Sequence, residues 1–168
     1  MLISLFEVRS SVQTNQQWDP DRARTVIAEH QDRDGPLLPI LHALQEEFGY
    51  IDREAEPMIA EALNISRAEV HGVVTFYHDF RSKPAGRHVL KLCRAEACQA
   101  VGGDVLAARA ESRLGVTLGN TTADGRVSLE PVYCLGLCSV SPSAMFDGKI
   151  IGRLDEKTLD GLLAQVDR

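Results

Sequence analysis

The chain has 168 residues, with 44 % apolar, 25 % charged and 5 % aromatic side chains and a formal net charge of −6. That length suits one domain, or one compact domain with a smaller helical piece, and the composition fits a soluble globular protein built mostly on Leu, Val, Ile and Ala. The acidic balance, with no basic stretch, argues against nucleic acid as the main partner.

No apolar run approaches the ~18 residues of a membrane span. The opening MLISLFEVRS lacks a basic segment before its apolar residues, and Glu7 and Arg9 interrupt it, so it does not read as a signal peptide. The expectation is a cytoplasmic protein with reduced thiols, in which four cysteines bind metal or do redox work rather than form structural disulfides.

Residues 1–17 show no clear period and are expected to form a mobile arm or a partner-contacting segment. The next stretch, WDPDRARTVIAEH, predicts a helix with Asp19 as N-cap, Pro20 at its first position and Trp18 stapled back onto it. A second helix follows in GPLLPILHALQEEFGYI, where Leu37, Ile40, Leu41, Leu44 and Phe48 form one apolar stripe and Gly49 is the stop. A third is expected from about Arg53 to Leu63 with Asp52 as cap, Pro57 falling near its first turns. The fourth opens on a capping box, Ser66 with Glu69, and carries Val70, Val73, Val74 and Tyr77. Residues 18–80 therefore read as a helical subdomain, and the basic, Pro- and Gly-containing FRSKPAGR marks the boundary after it.

Beyond that boundary the period changes. HVLKLC predicts a strand from His88 to Cys93, in which alternation turns Lys91 to solvent. One helix is expected from near Cys98 to Gly115. RVSLEPVYC reads as a strand ending at Cys134, with Pro131 demanding an edge or an irregularity. AMFDGKIIGRL reads as a hairpin turning at Asp147-Gly148, and a final helix has Asp155 as cap with Leu159, Leu162, Leu163 and Val166 on one face. The expected fold class is α+β: a small helical bundle, then a β-α-β-β-β-α unit with a mixed sheet over residues 86–168.

The chemistry lies in the cysteines. Cys93 and Cys98 form C-x4-C, Cys134 and Cys138 form C-x3-C, and positions 98 and 134 leave 35 residues between the pairs. Each pair begins where a predicted strand ends, so parallel neighbouring strands would bring four thiolates together. A [2Fe–2S] cluster needs such a set, two thiolates on each iron. Cys98 near a helix start and Gly136 inside the second loop suit a negatively charged centre met by backbone N–H groups. On spacing alone a zinc site and thiol redox chemistry stay open. The C-x2-C pairs usual for zinc knuckles and the C-x-x-C of thioredoxin-type dithiols are both absent. The five histidines lie outside both cysteine pairs, and no nucleotide-binding glycine motif or catalytic constellation appears.

CRAEACQAVGG (Cys93–Gly103) and YCLGLCSVSP (Tyr133–Pro142), preceded by GVVTFY (Gly72–Tyr77), resemble the thioredoxin-like [2Fe–2S] subunit family of NADH dehydrogenases. That is the E-type small partner of the flavoprotein subunit of respiratory complex I. Similar subunits serve NAD-linked hydrogenases and soluble NAD-dependent, molybdenum-containing formate dehydrogenases. The resemblance extends from about residue 20 to the C-terminus. It implies Cys93, Cys98, Cys134 and Cys138 as cluster ligands, a thioredoxin-like fold for residues 86–168, and a helical N-terminal part that docks on a larger partner. The family commonly has Ala-Pro after the second pair; Ser141-Pro142 stands there here, and serine is small enough to fit.

Within the family, CRAEACQ, CLGLCSVSPS and the short chain look most like the gamma subunit of the formate dehydrogenase. The resemblance then implies a non-catalytic electron-transfer subunit beside a flavin- and NAD-binding iron–sulfur subunit, with a molybdenum-containing formate-oxidising subunit beyond. The equivalent subunit of complex I or of an NAD-linked hydrogenase is the alternative within the family. A zinc-stabilised interaction module is the alternative outside it.

Overall fold

A computed structural model describes residues 17–166. The arm expected over residues 1–17 lies outside the described residues except for Gln17. Within them the chain divides into two compact units between Ala85 and Gly86.

The first unit is all helical: α1 (Pro20–His30), α2 (Leu37–Phe48), α3 (Ala55–Leu63) and α4 (Arg67–Phe76). Local chemistry sets each start. The Asp19 carboxylate accepts from the Asp21 and Arg22 N–H groups, and Pro20 occupies the first turn, where its missing N–H costs nothing. Pro39 and Pro57 fall at the third positions of α2 and α3, equally free of an intrahelical acceptor. The third helix starts at Ala55 rather than Arg53, because the Asp52 carboxylate accepts the Glu54 N–H and holds the preceding residues in a turn. The Ser66–Glu69 capping box of α4 is complete. Gly49 ends α2 at φ 81°, a left-handed conformation suited to glycine.

The predicted stripe of α2 supplies the centre of this unit. Ile40, Leu41, Leu44 and Phe48 are fully buried with Ile59 and Val70, and Trp18 packs its ring 4.9 Å from that of Phe48. Tyr77 departs from the predicted stripe of α4. It is the C-cap in extended backbone, 44 % exposed, and stacks edge-on against Phe76.

The second unit contains β1 (His88–Cys93), α5 (Glu96–Ala100), α6 (Gly103–Leu114), β2 (Asn120–Thr121), β3 (Val127–Val132), β4 (Ala144–Phe146), β5 (Lys149–Ile151) and α7 (Glu156–Val166). The sheet order is β2-β3-β1-β4-β5. Among the described residues β1 and β3 pair in parallel and the other pairs are antiparallel. This is the expected mixed sheet. Leu90, Leu129, Val127 and Ala144 are buried with Leu106, Ala110, Leu159 and Leu163 of the helices. A bidentate pair between Arg109 and Asp160 links α6 to α7.

Four sequence expectations change. The single helix over 98–115 is two helices, broken by Gly102 at φ 91°. The strand toward Cys134 stops at Val132. A two-residue strand, β2, pairs with β3 ahead of it, too short to show a period. Lys91 is only 20 % exposed and pairs with Glu130 across β1 and β3.

Pro131 fits because of where its side of β3 faces. The Leu129 carbonyl accepts from Gly119, toward β2, while the Val132 carbonyl turns the other way to Arg94. Position 131 therefore faces past the end of β2, which reaches only Ser128 and Leu129. The Asp147-Gly148 turn closes β4 and β5 with both residues at positive φ, 46° and 80°.

The loop between β2 and β3 is tied by Asp124, whose carboxylate accepts from the Thr122 hydroxyl, the Arg126 N–H and the Arg126 guanidinium. The Thr122 hydroxyl, then those other donors, hold its carboxyl at about 2 against the ordinary 3.8. The sign follows: the folded value is depressed, so this stabilisation is complete above about 4 and is lost as pH falls through about 2. A side-chain carboxyl titration by NMR should give Asp124 a midpoint near 2. A midpoint at the ordinary value would show that the turn does not hold its proton off.

Candidate functional site

Each cysteine pair is delivered by the carboxyl end of a central strand. Cys93 is the last residue of β1 and sits in register with Val132, the last residue of β3. The backbone at Cys93 is pinned on its other side, where its N–H donates to the Ser143 carbonyl at 3.0 Å. Parallel pairing thus places both loops at one sheet edge. The antiparallel return through β4 brings Ser143 to the same place.

The first pair is buried. Cys98 is the third residue of α5, whose short first turn begins at Glu96 rather than at Cys98 itself. Gly103, just past the break, lies against it: a Cβ there would stand 2.6 Å from the Cys98 carbonyl oxygen. The Cys98 Sγ lies 3.5 Å from the Ser143 hydroxyl.

The second pair is exposed. Cys134, two residues past β3, has φ 87°, a rare backbone setting for a residue with a Cβ, and Gly136 follows at φ 77°. The curl lets the Gly136 N–H approach the Cys134 Sγ at 3.4 Å and brings the Cys134 and Cys138 sulfurs to 3.6 Å. Cys138 opens a 3-10 turn to Val140, and the Ser141 hydroxyl donates back to the Cys138 carbonyl. The Ser141–Pro142 peptide is cis.

The thiols feel one another. Burial pushes the Cys93 thiol up, but the Ala95 N–H, the Cys98 thiol, the Cys134 N–H and the Ser143 hydroxyl together bring it below its ordinary value. Cys138 is pushed up, first by the proton it shares with Cys134, then by the negative charge of Cys134, by burial, and by Cys98 and Cys93. Cys138 thus lies close enough to the other three sulfurs for them to oppose its ionisation, and the four form a donor set suited to a cationic centre. Among the described residues, no three His, Cys, Asp or Glu side chains close around a single ion-sized point. The thiols come instead two and two, the arrangement a pair of irons takes.

Sequence reasoning named all four cysteines and Gly136. It missed Ser143, the Ala95 N–H and the left-handed Cys134. Ser143 reaches Cys98 only because β4 returns beside β1, 45 residues away in sequence, and no local pattern carries that. Four of the histidines make ordinary contacts: His30 bonds the Val26 carbonyl, His71 and His88 meet carboxylates, and the His42 ring packs on Phe80.

A mixed five-stranded sheet with helices and a four-thiol edge defines a class of small iron–sulfur proteins. The chain belongs to the thioredoxin-like [2Fe-2S] ferredoxin family, whose model matches residues 23–167. That family carries a [2Fe–2S] cluster. The chain is 36 % identical to the E subunit of the NADH-quinone oxidoreductase of Pseudomonas aeruginosa, covering 70 % of this chain and 71 % of that one. It is 35 % identical to the E 2 subunit of the same enzyme in Rhizobium meliloti, covering 85 % of each. It is also 31 % identical to the HndA subunit of the NADP-reducing hydrogenase of Solidesulfovibrio fructosivorans, over 79 % of this chain and 78 % of that one. In fold it matches the structure of an air-oxidised NAD+-reducing [NiFe]-hydrogenase, with a TM-score of 0.66 at 24 % identity. The match covers 78 % of this chain but only 22 % of that one.

Proposed function

We propose that the chain is a non-catalytic electron-transfer subunit in which Cys93, Cys98, Cys134 and Cys138 ligate one [2Fe–2S] cluster. The observation that carries this is the delivery of four thiols, two and two, from the ends of two adjacent parallel strands. The cluster supplies one-electron acceptance and release; the protein holds it and sets its surroundings. Buried Cys93 and Cys98 and the Ser143 hydroxyl form the dry side. Exposed Cys134 and Cys138, with Tyr133 73 % exposed beside them, form the side open to a partner.

The partner in this reading is a flavin- and NAD-binding subunit, in a complex of the NADH dehydrogenase or NAD(P)-reducing hydrogenase kind. The names of the relatives support those two settings. The formate dehydrogenase setting, with its molybdenum subunit, rests on the short cysteine motifs and the short chain, so the support falls on the alternative. Among the described residues no helix is long and apolar enough to cross a membrane; a cytoplasmic location is part of the proposal.

Iron and acid-labile sulfide analysis of the purified chain, with a visible spectrum, tests the cluster. About two of each per chain and a brown colour are expected. Colourless protein holding one zinc would make the chain a zinc-stabilised module instead. Affinity purification from the native host then identifies the complex, through co-purified flavin, nickel or molybdenum subunits.

A further inference from the structure

Arg94 follows Cys93 directly, at the end of β1. Its side chain is 23 % exposed, and one nitrogen, Nη2, meets Asp104 of α6 at 3.0 Å. The other, Nη1, is fully buried and has no hydrogen-bond partner among the described residues. A buried guanidinium N–H without an acceptor is costly, which makes this nitrogen the unexplained polar atom of the loop. The residue is also held within the first ligand loop. Its carbonyl accepts from the side chain of Gln99, the neighbour of Cys98, and its N–H donates to Val132 at the end of β3.

Lys91 and Glu130, also on these strands, join opposite charges. Arg94 differs: Asp104 is 61 % exposed, so solvent screens the carboxylate more than it screens the guanidinium. A net positive charge is therefore left on the residue that follows Cys93, in the loop that carries the first cysteine pair. A four-thiolate [2Fe–2S] centre carries about two negative charges when oxidised and about three when reduced, and its potential responds to nearby charge.

We propose that Arg94, anchored by Asp104, is a positioning residue that raises the reduction potential of the cluster by holding positive charge beside the Cys93 ligand. The proposal rests on the cluster assignment above. A packing role alone would shift both variants the same way, whereas a charge role shifts them in opposite directions. Loss of the guanidinium disfavours the reduced state; loss of the carboxylate favours it.

The test is a potentiometric titration of the full-length, cluster-loaded chain, followed by electron paramagnetic resonance, for wild type, Arg94→Gln, Arg94→Lys and Asp104→Asn. At the wild-type midpoint, Arg94→Gln should shift the reduced-to-oxidised ratio toward oxidised by roughly three- to tenfold, tenfold being about 59 mV for one electron. Asp104→Asn should shift it toward reduced, and Arg94→Lys should stay within about twofold of wild type. Shifts in the same direction for Arg94→Gln and Asp104→Asn, or none beyond about twofold, overturn the proposal. If Arg94→Gln fails to hold its cluster, the direction of the Asp104→Asn shift decides alone. Wild-type protein lacking iron and sulfide would instead sink the cluster assignment itself.

Discussion

Cys98→Ser is expected to strip the chain of its visible spectrum. The sulfur of Cys98 sits in a buried site, beside the Cys93 thiol and 3.5 Å from the Ser143 hydroxyl. Serine nearly matches the shape of cysteine, so the fold should persist, which far-UV circular dichroism checks. A hydroxyl is a harder and far less acidic donor than a thiol, and iron–sulfur clusters favour thiolate. Iron and sulfide per chain should fall on the order of tenfold. Cys138→Ser removes an exposed member of the proposed ligand set, where water can substitute, so partial occupancy with an altered spectrum is expected. Ser139→Ala, in the same loop but contributing no thiol, should leave iron content unchanged. An unaltered spectrum in Cys98→Ser would remove Cys98 from the ligand set and, with it, the two-and-two arrangement.

Where the chain's instructions are local, the sequence showed them. Asp19-Pro20 announces a helix start because an acceptor and a pre-set φ meet the needs of a first turn. Ser66 with Glu69 and Asp147-Gly148 are equally local, and each appears in the structure as read. The four cysteines were visible as a set because their spacing within each pair is short and chemically restrictive. What was hidden depends on neighbours remote in sequence. Ser143 reaches Cys98 through the β4–β1 pairing, and Arg94 meets Asp104 across the α5–α6 break. The break itself was masked because apolar spacing runs through Val101, Val105 and Leu106 as it would in one helix. In fact Val101 and Val105 are exposed, and only Leu106 faces the core. The signal in the sequence is the adjacent pair Gly102-Gly103, of which Gly102 makes the left-handed joint. The parent complex lay further from view, since what distinguishes formate, hydrogen and quinone chemistry is carried on other chains.

Gly103→Ala should be the most damaging small substitution near the site. The added Cβ would stand 2.6 Å from the Cys98 carbonyl oxygen, 3.0 Å from its carbonyl carbon and 3.5 Å from its Cβ. The two closest contacts are backbone, which cannot rotate aside, so α5 must move relative to α6 and carry Cys98 with it. Overpacking of this kind costs about 1–3 kcal/mol. The larger effect should fall on cofactor retention, because the displaced residue is a ligand in the proposed set and its sulfur is placed against Ser143. Gly72→Ala in α4 is the matched control: nothing lies within 4 Å of its Cβ, and alanine suits a helix interior better than glycine by up to about 1 kcal/mol. Thermal denaturation and the rate at which a chelator bleaches the visible spectrum separate the two. Gly72→Ala should hold or raise the melting temperature and bleach at the wild-type rate. Gly103→Ala should melt earlier and bleach several-fold faster. Equal bleaching in both variants would mean that the α5–α6 joint does not position Cys98, and that this ligand is held by its own loop alone.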